Sequence, residues 1–226
     1  MNITKSEEER KMAIDFKKTN RELYQPKTTP SLIDVPEMVF IAVDGKGDPN
    51  TSEEYKNALE LIYGLSYSIK MSKMGGTLPE GYFDYVVPPL EGLWWGEYGY
   101  FDGTNILDKN KLRWTSMIRQ PDFVTEEVFA TAKAALIKKK PVLDVAVATA
   151  RLIKYAEGLC VQAMHIGSYD DEPATIAEME RFAVENGYAI DIHDTRRHHE
   201  IYLSDPRKTA IEKLKTVIRH PIKGAV

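Results

Sequence analysis

Read for the spacing of its apolar residues, the chain separates from residue 38 onward into strand-like and helix-like stretches. Met38 to Val43 is a near-continuous apolar run closed by Asp44-Gly45-Lys46-Gly47, which predicts a well-covered strand and a turn. A helix is expected next. Thr51 and Glu54 have capping-box spacing, and Tyr55, Ala58, Leu59, Ile62, Leu65 and Ile69 recur at helical intervals until Gly75-Gly76. Between Phe83 and Tyr100 the pattern becomes aromatic and β-branched, broken by Pro88-Pro89, Gly92 and Gly96, and predicts a hairpin carrying Tyr85, Trp94 and Trp95. Lys111 to Ile118 supplies a further strand with Trp114. Thr125 to Lys140 supplies a second helix, whose lysine-rich last turn complements the helix dipole. Val142 to Ala156 leaves the choice open, with one more helix as one reading.

The last third repeats this order of elements. Leu159 to Ile166 reads as a strand ended by Gly167, and Ile176, Met179, Phe182 and Ala183 mark a helix ended by Asn186-Gly187. A strand from His199 to Leu203, the Asp205-Pro206 turn and a final strand from Thr216 to Ile222 complete it. The pattern implies a weak internal duplication of strand, helix, strand, strand. The fold class is therefore α+β, with a lead-in over residues 1–35 and a domain over 36–226 whose halves span 36–150 and 151–226. A ligand cleft is expected where the halves meet.

Composition narrows the function. The 226 residues are 43% hydrophobic and 10% aromatic, enough for a core without disulfide staples. Thirty basic against 34 acidic residues leave a net charge of −4, which argues against nucleic acid as a direct partner. The lone Cys160 has no disulfide partner, no apolar run is long enough for a membrane span, and the charged start lacks a signal core, so a cytoplasmic protein is expected. Residues 1–35 are too short for a helix-turn-helix with its own core, which argues against a transcription factor. No cofactor is implied. His198 and His199 point to opposite faces of a strand, and His165, His193 and His220 lack ligand spacing, so no metal site is expected.

One stretch is distinctive: His198-His199-Glu200-Ile201-Tyr202-Leu203-Ser204-Asp205-Pro206, followed by Glu212-Lys213-Leu214-Lys215-Thr216-Val217-Ile218-Arg219-His220-Pro221-Ile222-Lys223. With Gly167-Ser168-Tyr169 upstream, it resembles the GyrI-like small-molecule-binding family over Tyr155 to Lys223. Over 36–118 mainly the order of elements agrees. The resemblance implies a paired SHS2-type fold, shared with the effector domains of multidrug-responsive regulators, in which a glutamate and surrounding aromatics hold flat, often cationic molecules. A stand-alone subfamily resembling this chain includes cyclopropanoid cyclopropyl hydrolases, which open the strained ring of DNA-alkylating agents inside an aromatic cage. The motif alone does not separate such a hydrolase from a non-enzymatic binder, and family analogy adds gyrase as a protein partner.

The resemblance places Glu200 at the family's glutamate position. Strand alternation sets His198, Glu200 and Tyr202 on one face and His199 and Ile201 on the other. A carboxylate on a covered sheet needs a partner, either a ligand or a neighbouring Arg or Lys. Glu200, Glu157 and Tyr202 are the candidate catalytic groups: the carboxylates to position water, the hydroxyl to donate to the substrate carbonyl. Glu157 is also readable as a solvated strand start. Trp94, Trp95, Trp114, Tyr98, Tyr155 and Tyr169 are candidate ligand-binding aromatics, each also explicable as core or rim. Of the adjacent Trp94 and Trp95, only one is expected to face the cleft.

Overall fold

A computed structural model describes residues 13–75, 78–96, 101 and 103–225. Its elements are α1 (Phe16–Thr19), α2 (Arg21–Tyr24), β1 (Ser31–Lys46), α3 (Glu53–Lys70), β2 (Leu90–Gly96), β3 (Leu112–Gln120), α4 (Glu126–Lys139), α5 (Asp144–Val147), β4 (Arg151–Ile166), α6 (Glu172–Glu185), β5 (Tyr188–Ile190), β6 (His198–Tyr202) and β7 (Lys215–Gly224). The two halves run β1-α3-β2-β3 and β4-α6-β6-β7, with α4 and α5 between them and β5 added to the second.

The long strands β1 and β4 explain how the halves join. The first part of β1 pairs antiparallel with the first part of β4, from Ser31↔Gln162 to Ala42↔Arg151. Each strand then continues into its own half, β1 pairing with β3 and β4 with β7. β2 pairs with β6 across the halves, so the order β4-β1-β3-β2-β6-β7 returns to β4 and closes a six-stranded barrel-like sheet. Closure removes the exposed edges that an open sheet of this size would carry. Where β1 crosses β4, the inward side changes parity. Buried positions pass from Val35 to Met38, Phe40 and Ala42 in β1, and from Glu157 to Cys160 and Gln162 in β4. Pro36, which has no N–H for the ladder, sits at this point, and Gly158 beside it takes φ 71°, open chiefly to glycine.

Both helices lie on the outer surface of this sheet. Ile62, Leu65 and Ile69 of α3 are buried in the larger core cluster, while Ile176, Met179 and Ala183 of α6 pack with Val161, Ala163 and Ile218. Ser52, one residue after the expected cap, accepts the Tyr55 N–H to start α3, and Thr125 accepts the Val128 N–H to start α4.

Two expectations need correction, and one open reading is decided. β1 begins at Ser31, inside the expected lead-in, because β4 offers it a pairing partner. The stretch after Val142 yields only the single turn α5 before β4 starts at Arg151, since Leu152 and Ile153 pair with Ile41 and Phe40. The hairpin expected within 83–100 forms instead between β2 and β3, and Tyr85 makes only an isolated bridge with Ile14. Among the described residues, no helix is long and apolar enough to cross a membrane.

Candidate functional site

Tyr55 of α3 and Glu172 of α6 both lie close to Glu200 of β6, so the candidate groove is the space between these two helices over β2 and β6, the two strands that join the halves. Register decides what faces it. Leu90↔Tyr202, Gly92↔Glu200 and Trp94↔His198 share the outer side of the sheet, and β7 adds Ile218 opposite Glu200. A side chain at Gly92 would meet Trp94 Nε1 at 2.6 Å and the Tyr202 hydroxyl at 3.2 Å, so its absence lets those two groups meet. Trp94 Nε1–H donates to the Tyr202 hydroxyl at 2.9 Å, and the Glu200 charge lies beside that hydroxyl.

Glu200 is the polar centre of the groove, with 14% of its side chain exposed. His198 Nε2 lies 2.9 Å from its Oε1, and His198 Nδ1 lies 2.7 Å from His220 Nε2. Burial, and then His198 beside it, push the His220 imidazole well below its ordinary range, so this ring is neutral. The hydrogen-bonded chain therefore runs from His220 through His198 to Glu200. His220 Nδ1 is buried without a partner among the described residues.

The first residue of α6 adds a second carboxyl. Glu172, His198 and Glu200 bring one donor atom each within 4.8 Å of one another. Burial, then the charges of Glu200 and Asp170, drive the Glu172 carboxyl well above the usual carboxylate range. Its Oε1 is buried without a partner among the described residues. The arrangement pairs a carboxylate with a carboxylic acid, and one imidazole with two carboxyls is also a donor set able to hold a cation. Aromatic rings surround it. Tyr169 stands edge-on to Tyr202 at 5.9 Å, Tyr55 lies 6.0 Å from Trp94, and Phe101 packs edge-on against His198 at 5.5 Å. Burial and the Glu200 and Glu172 charges push the Tyr169 hydroxyl up to about 12.

The barrel interior holds a different cluster. His199 lies 3.0 Å from both Glu157 and Glu91, and Arg219 Nη1 donates to Glu157 at 3.1 Å. Gln162 accepts from Arg219, and Tyr24 donates to Glu91. Burial opposes ionisation of Glu157, but His199 and Arg219 outweigh it and hold the carboxyl down to about 2. Burial likewise opposes a charged His199, and the two glutamates offset it and raise the imidazole to about 9.

Of the residues expected to form one site, Glu200, Tyr202, Trp94 and Tyr169 converge, and four do not. Glu157 is neither solvated nor near Glu200; it is sealed inside the barrel because the strand kink at Gly158 turns it inward. Tyr155 follows the same parity and packs against Phe40. Trp114 is fully buried beneath Tyr55, forming core behind the groove wall. Trp95 sits at the rim under the Arg197 guanidinium, 4.7 Å from its ring, beside a surface cavity of about 320 Å³ that Glu200 does not line. Tyr98 lies outside the described residues. Tyr55, Glu172 and His220 were missed, since only three-dimensional register brings them to Glu200. Glu91, an acid inside the apolar run Leu90–Gly96, carried a sequence signal that could have flagged the interior cluster.

Paired strand-helix-strand-strand halves with a polar, aromatic-walled groove between their helices define a small-molecule-binding domain. The family model for the GyrI-like small molecule binding domain matches residues 115–223, so that part of the chain is a GyrI-like domain. A structure described as a hydrolase from Listeria innocua is 49% identical, with a TM-score of 0.84 over 93% of this chain and 100% of that one. An uncharacterized conserved protein from Listeria innocua is 52% identical, with a TM-score of 0.87 over 93% and 100%. A further hydrolase from the same organism is 50% identical, with a TM-score of 0.85 over 94% and 100%. No curated protein matches the chain.

Proposed function

We propose that the α3–α6 groove binds planar aromatic molecules and hydrolyses the strained cyclopropane of cyclopropanoid alkylating agents, a detoxifying reaction. The observation that carries this reading is the pairing of Glu200, hydrogen-bonded and partly exposed, with Glu172, whose carboxyl burial keeps in its acid form. Such a pair supplies a base and an acid from the same residue type. The hydrolase descriptions of the Listeria innocua relatives support an enzyme in general terms.

Trp94, Tyr169 and Tyr55 would stack on or border the planar guest and hold its ring over Glu200. Water attacks the cyclopropane methylene, and a C–O bond forms as the ring C–C bond breaks. The released electron pair enters the conjugated ring, which becomes aromatic with charge on the former carbonyl oxygen. The Glu200 carboxylate takes the proton of the attacking water, and Glu172 delivers its proton to that oxygen. Exchange with solvent resets both carboxyls. His198, held by His220, keeps the Glu200 carboxylate aimed at the water.

Ring strain and recovered aromaticity already drive the opening, so orientation and proton transfer, each contributing about 10²-fold or more, are sufficient acceleration. Purified protein incubated with a cyclopropane-bearing alkylator and followed by mass spectrometry should yield the water adduct. Glu200→Gln should cut kcat by about 10²-fold or more with little change in ligand affinity. Intact compound returned by the wild type would leave a sequestering protein instead. Because Glu172, His198 and Glu200 also form a cation-competent set, the assay is repeated after exhaustive chelation. Unchanged turnover is expected, and loss restored by a divalent metal would reassign these side chains as ligands.

A further inference from the structure

The same end of the barrel at which β4 and β6 finish and β7 starts carries a second cavity, on the opposite side of the sheet from Glu200. Its volume is about 760 Å³, within the range of roughly 300–1,000 Å³ common for small-molecule sites, and barrel mouths are a recurrent place for them. Its floor is made by the last inward-facing positions of the barrel, Met164, Ile166 and Leu203. Ile166 is half exposed there, although its strand neighbours Ala163 and Met164 are buried. The segment from α1 to β1 forms the other wall and is tied down by bonds from Met164 N–H to the Lys27 carbonyl and from Gln162 to the Glu22 carbonyl.

The rim is cationic. Lys17, Lys18, Lys27 and Lys215 line the cavity against a single acid, Asp15, whose carboxylate already accepts the Lys17 N–H as the cap of α1. Among the described residues, none of the four ammonium groups has a carboxylate partner within ion-pair distance. A chain of net charge −4 therefore gathers four positive charges around one apolar floor. Like charges held together in this way repel one another and attract an anion, and a low-dielectric wall focuses the field. An inorganic anion would use the rim but not the floor, and a neutral apolar molecule the floor but not the rim.

We infer that the barrel mouth is a binding site for a single-chain anionic amphiphile, its carboxylate or phosphate head among the lysines and its alkyl chain over Met164, Ile166 and Leu203. The site is separate from the groove at Glu200 and does not depend on its chemistry. Decanoate and decyl phosphate, each below its micellar concentration, are titrated into the full chain by calorimetry, with decyl maltoside as the neutral control.

One-to-one binding of an anionic probe is expected, weakened as salt rises and at least tenfold weaker in the double variant Lys27→Glu/Lys215→Glu. Both lysines are exposed, so the variant should keep its fold, which circular dichroism verifies. Tighter binding of decyl phosphate assigns the head as a phosphate ester, and tighter binding of decanoate assigns it as a fatty acid. Equal binding of the maltoside, no binding at all, or no effect of charge reversal overturns the inference. So does loss of binding in Glu200→Gln, which would place the amphiphile in the groove. Unchanged binding in that variant is expected whether or not the hydrolase reading holds.

Discussion

β6 carries two clusters of carboxylates and histidines, one on each face, and they differ in charge balance. Inside the barrel, Glu91 and Glu157 face His199 and Arg219, two acids against two bases, and every charged side chain is buried. On the outer face Glu172 and Glu200 meet His198 and His220, but burial keeps His220 neutral and no Lys or Arg is paired with either carboxylate among the described residues. The inner cluster balances its own charge. The outer one has no such cation among the described residues, and burial together with the Glu200 charge raises the Glu172 carboxyl well above the usual carboxylate range. The same residue types are charge-balanced in one place and unbalanced in the other, and the arginine makes the difference.

Removing that arginine is the strongest way to break the comparison. Arg219→Leu leaves Glu157 buried without its guanidinium, and breaking a buried pair from one side costs about 3–5 kcal/mol, a large part of a typical domain's stability. Urea denaturation should show this loss for Arg219→Leu, with Glu200→Gln and Glu172→Gln near wild type. Equal stability of all three variants would mean that the inner cluster holds nothing together.

A smaller effect should appear with pH. His199 is raised from an ordinary 6.5 to about 9, so the stability it contributes is complete below pH 6.5 and is lost as pH rises through 9. Glu157 is lowered from 4.5 to about 2, so its contribution is complete above pH 4.5 and is lost as pH falls toward 2. Both are whole only between these limits. The alkaline loss is on the order of 3 kcal/mol, and thermal unfolding should show Tm falling between pH 6.5 and 9. In His199→Gln this alkaline slope should flatten, and an unchanged slope would assign the titration to another group.

Much of this was legible in the sequence, because local pattern decides local structure. The apolar run Met38 to Val43, the helical spacing from Tyr55 to Ile69 and the alternation of His198, Glu200 and Tyr202 all survive in the fold. What could not be read depends on partners far along the chain. Glu157 turns inward because Gly158 kinks β4 opposite Pro36, and Tyr155 turns with it. Glu172 opens a helix just ahead of Pro173, where an acid ordinarily does no more than complement the helix dipole. Only the packing of α6 against the sheet brings it to Glu200. The two histidines that meet at 2.7 Å are separated by 22 positions, and the β6–β7 register sets that meeting.

The comparison is sharpened most finely by the proton on Glu172. If that proton is donated during ring opening, kcat/KM must fall as pH rises past the point where Glu172 ionises, because the acid form is the active one. Three neighbouring groups cannot produce the same alkaline limb. Tyr169 is pushed up to about 12, Tyr202 lies well above its ordinary range, and His220 lies well below its own, so it would act on the acid side. Glu172→Gln keeps the shape of the site but has no proton to give. Its pH profile should lose the alkaline limb and run about 10²-fold below the wild-type plateau. A limb that persists in Glu172→Gln would move the acid role to another donor and return Glu172 to a structural part.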